Sequence, residues 1–248
     1  MITQIELTDY LNRLLTIDAF SDYAPNGLQV EGKKNITRLV TGVTASQALL
    51  KKALSLQADA ILVHHGYFWK GESPCITGMK KQRLSLLLEN DVNLLAYHLP
   101  LDAHAIYGNN AQLGKLLGIE VTDILQEGLI YVGRLAKPQA PVAVSALITN
   151  TLQRAPLCIS AGKKQLSTVA WCTGGGQDFI ETVAPLGVDA FISGEVSERT
   201  YYQAEELDIA YFAAGHHATE RYGIKVLGEH LADKFSLACF FVDSENPV

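Results

Sequence analysis

Short runs of β-branched and aliphatic residues recur along the chain, each followed by a segment whose apolar positions fall three and four apart. Strand-length runs lie near 37–43 (TRLVTGV), 59–64 (DAILVH) and 92–97 (VNLLAY), and helical spacing follows near 45–57, 79–90 and 108–118. A strand buried on both faces reads as a continuous apolar run, so this order predicts parallel strands covered by helices. The same order returns in the second half. Strands are predicted near 167–173, 188–193 and 208–213, with helices near 176–186, 195–206 and 218–232. A shift of 130 residues lays the stretch from Thr37 over that from Ser167 without a gap, matching Gln47 to Gln177 and Asp59-Ala60 to Asp189-Ala190. Matching element order is the stronger signal, and it predicts a structural duplication.

The expected fold is therefore α/β, with two similar βαβαβα halves, mainly parallel sheets and flanking helices. The halves are placed at 1–125 and 126–248. The opening MITQIELTDYLNRLL has an amphipathic helical pattern, and 21–32 (SDYAPNGLQVEG) reads as a polar, turn-rich loop. Between the halves, 121–165 reads as a connecting hairpin and helix.

Composition narrows the function. The 248 residues carry a formal charge of -6, which argues against a surface built for the nucleic-acid backbone. Four scattered cysteines with no C-x-x-C pair suit reduced thiols, and no apolar run approaches the length of a membrane span. The opening is amphipathic and lacks a basic segment leading into an apolar one. These features predict a cytoplasmic protein that binds neither nucleic acid nor membrane.

Five of the seven histidines fall at three predicted strand ends, as His64-His65, His98 and His216-His217. The carboxyl ends of strands in α/β sheets form ligand crevices. Asp102 lies four residues beyond His98, and Glu220 four beyond His216. On a helix beginning at His216 that spacing puts both side chains on one face. Imidazole with carboxylate and no thiolate suits Zn, Mn, Fe or Co. One ion needs three or four such groups, so five or more favour two ions about 3.5–4 Å apart. Consecutive strand-end side chains diverge, so His64 and His65 can each serve a different ion. Read singly, each of these groups also suits an ordinary loop histidine or surface carboxylate.

At these residues the sequence resembles the Nif-three-like family of dinuclear-metal proteins, labelled GTP cyclohydrolase I type 2. The stretches that carry the resemblance are SDYAPNGLQVEG, GVTAS, VHHGYFWKG, HLPLDAHAIYGNNAQL, TGGGQ, DAFISGE and AAGHHATE. They span almost the whole chain in the family's order, and the chain has the length of the compact form without an inserted domain. The resemblance implies metal ligands at His64, His65, Asp102, His216 and Glu220, with Glu220 or also Asp102 touching or bridging the ions. It implies a hydrolase whose two divalent ions activate water, acting on a small molecule such as GTP by attack at guanine C8 with loss of formate. It further implies a homo-oligomeric ring, commonly a hexamer. A metal-loaded ring with a regulatory, metal-handling or partner-binding role is the non-enzymatic alternative.

Other residues are assigned more openly. His98 is either a ligand or a group behind one. His98, His217 and Glu195 are candidates to move a proton, though Glu195 suits a buried salt bridge equally. Gly174, Gly175 and Gly176 of TGGGQ either cradle an anion or allow a tight turn and close approach. Tyr67 and Lys70 of GYFWKG either meet a planar base and its phosphate or pack the core or a neighbouring subunit. Cys172 is expected to be a buried thiol, and His104 and His230 are expected to have no metal role.

Overall fold

The computed structural model describes every residue from Met1 to Val248. The chain divides into two compact units, one of residues 1–101 with 223–245 and the other of 102–222 with 246–248. These are not the sequence halves 1–125 and 126–248. The divisions fall within helices Leu99–Ala103 and His216–Phe235, and the strand Ala238–Phe241 pairs in the first unit's sheet.

In the first unit, strands Ala238–Phe241, Arg38–Thr44, Ala60–His65 and Asn93–Ala96 run parallel in that order, and Gly27–Val30 closes the edge antiparallel to Asn93–Ala96. Residues Ala60–His64 are all buried, as a central parallel strand requires. Val40, Ile61, Val63 and Leu94 form a core with Leu50 of helix Gln47–Ser55 and with Leu84 and Leu87 of helix Gly78–Glu89. Ser46 caps the first of these helices by accepting from the Leu49 amide. The N-terminal helix, Gln4–Leu14, starts at a capping box between Thr3 and Glu6. The loop expected over 21–32 contains the strand Gly27–Val30, whose four residues are too few for periodicity to mark.

The second unit's sheet has the order Glu120–Leu125, Ile130–Gln139, Leu166–Cys172, Ala190–Ser193, Ala210–Ala213, Leu157–Ile159. Its three central strands are parallel, but the other three pairings are antiparallel. The expectation of a mainly parallel sheet therefore fails here. The hairpin of the connecting segment joins the sheet rather than merely linking two halves. Alternation along the strands divides the core between two faces. Trp171, Ile192 and Phe212 pack on one face with Val144 and Ile148 of helix Pro141–Leu152, and Ala170, Phe191 and Tyr211 pack on the other with Ile180 and Val183.

The parallel trios repeat each other in register. Leu39 pairs with Ala60 in one, and Val169 with Ala190 in the other, each displaced by 130 residues. Asp59 Oδ2 accepts from the amides of Thr37 and Arg38 and from the Thr37 hydroxyl; Asp189 Oδ2 accepts likewise from Ser167, Thr168 and the Thr168 hydroxyl. The same carboxylate ties two strands together in each sheet. The helix expected over 176–186 is the exception. It is broken into a 3-10 turn Gln177–Phe179, a short helix Ile180–Val183 and a second 3-10 turn Ala184–Leu186. Pro185 has no N–H to continue an α-helical ladder. No helix of the protein is long and apolar enough to cross a membrane.

Candidate metal centre

In the first unit, strand Ala60–His65 ends in the tandem histidines, whose rings lie 4.5 Å apart and tilted by 41°. His64 is fully buried, and its Nδ1 bonds the Tyr97 carbonyl at 2.9 Å. His65 Nδ1 lies 3.1 Å from Thr44 Oγ1 on the adjacent strand. His98 follows the next strand, with Nδ1 2.7 Å from Asp22 Oδ1. One nitrogen from each of His64, His65 and His98 can be chosen so that all lie within 4.8 Å of one another. Trp69 stands edge-on to His98 at 4.9 Å and 6.0 Å from His65, walling the group with an apolar ring.

Asp22 is the residue that sequence reasoning missed here. Burial works to raise its pKa, but His98, the Asn26 amide and the Tyr23 N–H outweigh it and hold the carboxyl at about 2. Its other oxygen accepts from the Leu99 amide and Asn26. Asp22 stands 76 residues from His98, so no spacing rule connects them.

In the second unit, Asp102 lies on helix Leu99–Ala103 and is buried. Its Oδ1 accepts from Asn109 Nδ2 at 2.8 Å and from Thr173 Oγ1 at 3.3 Å, two polar partners that the sequence did not single out. Helix His216–Phe235 does begin at His216, and the i,i+4 spacing closes as expected. His216 Nε2 is 3.0 Å from Glu220 Oε2, and His216 Nδ1 is 2.7 Å from Glu195 Oε1. Burial tends to lower the His216 pKa, but the two carboxylates dominate and raise it to about 9. Glu195 thus orients an imidazole, in the manner of the carboxylate behind a metal-ligating histidine.

TGGGQ serves this carboxylate cluster by its bareness. Gly174 adopts φ +65°, and a Cβ there would sit 1.9 Å from Glu220 Oε1. Its N–H donates to Thr219 Oγ1, and its carbonyl accepts from the amides of Gly194 and Glu195. A Cβ on Gly176 would meet Cys172 Sγ at 2.5 Å. Gly174 and Gly176 provide close approach, and the four-residue helix beyond offers no anion-binding terminus. Gly175 is exposed. Cys172 is a buried thiol, pushed up in pKa chiefly by burial and further by Asp102 and Glu220.

The aromatic loop is divided. Tyr67 is a core residue whose hydroxyl donates to the Ala45 carbonyl at 2.7 Å, and burial raises it to about 12. Of the two readings open for this loop, the bond gives Tyr67 a packing role. Lys70 is exposed. His217 is buried, and its amide donates to the Val248 carbonyl. His104 stacks on Tyr107, and His230 Nε2 lies 2.5 Å from the Tyr10 hydroxyl.

The donors suit a divalent ion on two counts. They are imidazoles and carboxylates without thiolate, the set that borderline cations prefer. Their outer nitrogens and oxygens are also held by hydrogen bonds, and Glu220 is packed against a glycine that leaves room for nothing larger.

Comparison with known proteins places the chain in a family. The family model described as Duf34/NIF3 (NGG1p interacting factor 3) matches residues 2–247. A GTP cyclohydrolase 1 type 2 homolog of Pasteurella multocida is 56% identical over 98% of this chain and 98% of its own length. A solved structure described as protein ybgI, of unknown function, superposes with a TM-score of 0.97 at 53% identity, covering all of both chains. Protein TTHA1606 of Thermus thermophilus superposes with a TM-score of 0.93 at 32% identity, also over all of both chains. With the motifs, the repeated sheets and near-complete coverage in agreement, the chain belongs to the Duf34/NIF3 family.

Proposed function

We propose that the protein is a metal-dependent hydrolase that binds two divalent ions through His64, His65, Asp102, His216 and Glu220. The observation that carries this reading is the bracing of the donors. His64 is held at Nδ1 by the Tyr97 carbonyl and His216 at Nδ1 by Glu195, and Asp102 is held by Asn109 and Thr173. Bound ions of this kind polarise carbonyl or phosphoryl groups and bring the pKa of water toward neutrality.

The chain's own groups supply the rest. Asn109 and Thr173 keep Asp102 oriented, while Glu195 holds the His216 ring. His98 and His217 are the side chains available to carry a proton beside the ligands. A purine nucleotide such as GTP is the favoured substrate class, supported by the name the curated relatives carry. Assembly into a homo-oligomeric ring, hexameric by the family resemblance, belongs to the same proposal.

One observation favours the non-enzymatic alternative. Tyr67, Gly174 and Gly176 each make a bond or close approach within the fold, which supports a reading that needs no substrate. A metal-loaded ring that handles metal or binds a partner fits that finding.

Metal content and turnover decide between the readings. The hydrolase reading expects close to two ions per chain after gentle loading. It also expects turnover on a panel of nucleotides and phosphoesters that is lost in both His64→Ala and Glu220→Ala. Turnover that survives both substitutions, or none on any substrate, would sink it. Well under two ions per chain would remove the dinuclear premise.

A further inference from the structure

We infer that the segment Asn246–Val248 is a displaceable strap seated on Arg154, and that Arg154 binds an oxyanion, a phosphate or a carboxylate, in the strap's place. The inference does not rest on the metal reading above.

Its parts all lie in the second unit, which takes in 246–248 along with 102–222. Arg154 Nε and Nη2 both donate to the Pro247 carbonyl, at 3.1 and 3.0 Å. One residue further on, the Val248 carbonyl accepts from the His217 amide at 3.0 Å. Three N–H groups are thus gathered on two successive carbonyl oxygens. The guanidinium is also fixed from its other side. Its Nη1 donates to the Ala213 carbonyl at 3.5 Å, and a Cβ on Gly215 would stand 2.7 Å from Arg154 Cδ and 2.8 Å from its Nε. Gly215 has φ +101°, so the backbone and the close approach of Arg154 both call for glycine there.

Charge makes the strap a poor match for what it occupies. Every hydrogen bond of Arg154 goes to a neutral backbone carbonyl. A planar guanidinium fork matches the paired oxygens of a carboxylate or phosphate, and an anion adds an attraction of opposite charges that a carbonyl lacks. A neutral amide side chain would hold a carbonyl as well, without a permanent charge to place.

The strap is also lightly held. Asn246, Pro247 and Val248 are all exposed, so no buried apolar surface anchors them. Asn246 Oδ1 accepts from the Val248 amide at 3.0 Å, and Pro247 fixes a further dihedral. A pre-shaped segment joined by backbone acceptors alone can leave and return while the core stays packed. When it leaves, the freed guanidinium lies against Gly215, the residue before helix His216–Phe235.

The test compares the full chain with one truncated after Glu245, titrating inorganic phosphate and acetate by calorimetry. A site open only part of the time binds more weakly by that fraction, so truncation should tighten one or both probes by about 10-fold or more. Which probe gains names phosphate or carboxylate as the ligand. Arg154→Lys in the truncated chain keeps the charge, loses the fork and should abolish the gain. Asn246→Ala in the full chain removes the turn bond alone and should give a smaller gain in the same direction. If melts show that truncation unfolds the protein, Asn246→Ala with and without Arg154→Lys decides. No gain for either probe would overturn the inference. A gain that survives Arg154→Lys would overturn it too, placing the anion elsewhere in the protein. Turnover does not enter the test, so its outcome is independent of the hydrolase reading.

Discussion

Gly174 is where the smallest chemical change should do the most damage. Replacing it with alanine adds one methyl group at a position with φ +65°, where the new Cβ lies 1.9 Å from Glu220 Oε1, 2.9 Å from Glu220 Cδ and 3.1 Å from His216 Nε2. The left-handed backbone costs an L-residue roughly 1–2 kcal/mol. Forcing apart a packed neighbour costs about 1–3 kcal/mol more. Relief requires Glu220 to move, and Glu220 is buried in a helix whose first turn also carries His216. The expected loss is thus about 2–5 kcal/mol, which for a chain of this size lowers Tm by on the order of 5–15 °C. Gly175→Ala is the control. Its nearest atoms lie 3.9 Å away, so its cost should stay within about 0.5 kcal/mol. Thermal melts of both variants, with and without Zn2+, provide the measurement. The variant at Gly174 should also lose most of the stabilisation that added Zn2+ gives the control. If the two variants melt within about 2 °C of each other, the close-approach account of TGGGQ is wrong.

Three further outcomes are expected. Asp59→Ala and Asp189→Ala should each cost about 1–3 kcal/mol in urea unfolding, because each leaves two strand-end amides and a hydroxyl without their acceptor. Burial works to raise both carboxyls, but these donors prevail and lower them, so their stabilisation is complete above about pH 4 and lost as pH falls through the lower folded values. The urea midpoint of wild type should therefore fall more steeply below pH 4 than that of either variant, and equal slopes would count against the account. Tyr67→Phe should cost about 1–2 kcal/mol by leaving the buried Ala45 carbonyl unsatisfied, with metal content unchanged. A Tyr67→Phe protein of wild-type stability that loses turnover would return Tyr67 to the substrate. Glu195→Ala should weaken metal binding by about 10–100-fold in chelator competition while the melting temperature in chelator moves little, and the reverse pattern would make Glu195 a structural ion pair.

Local pattern was sufficient wherever a residue's role depends on its neighbours in the chain. The continuous apolar runs marked the parallel strands, because strands buried on both faces tolerate no polar alternation. The spacing of His216 and Glu220 marked a shared helical face, because 3.6 residues per turn bring position i+4 alongside. The 130-residue shift marked a repeat whose register the two sheets reproduce.

What the chain order concealed are the relations that only folding creates. Asp22 meets His98 across 76 residues, and Asn109 meets Asp102 from a separate helix. Neither pairing has a period. TGGGQ looked equally suited to hold an anion or to admit a neighbour, and the presence of Glu220 against Gly174 is a fact of packing. The extra antiparallel strands and the division at Leu101 and Tyr222 belong to the same class. Sequence by itself determined the elements and the kinds of atom available for a site. Tertiary structure decided which of those atoms are held in place, since hydrogen bonds and steric contacts depend on distance in space and not on separation along the chain.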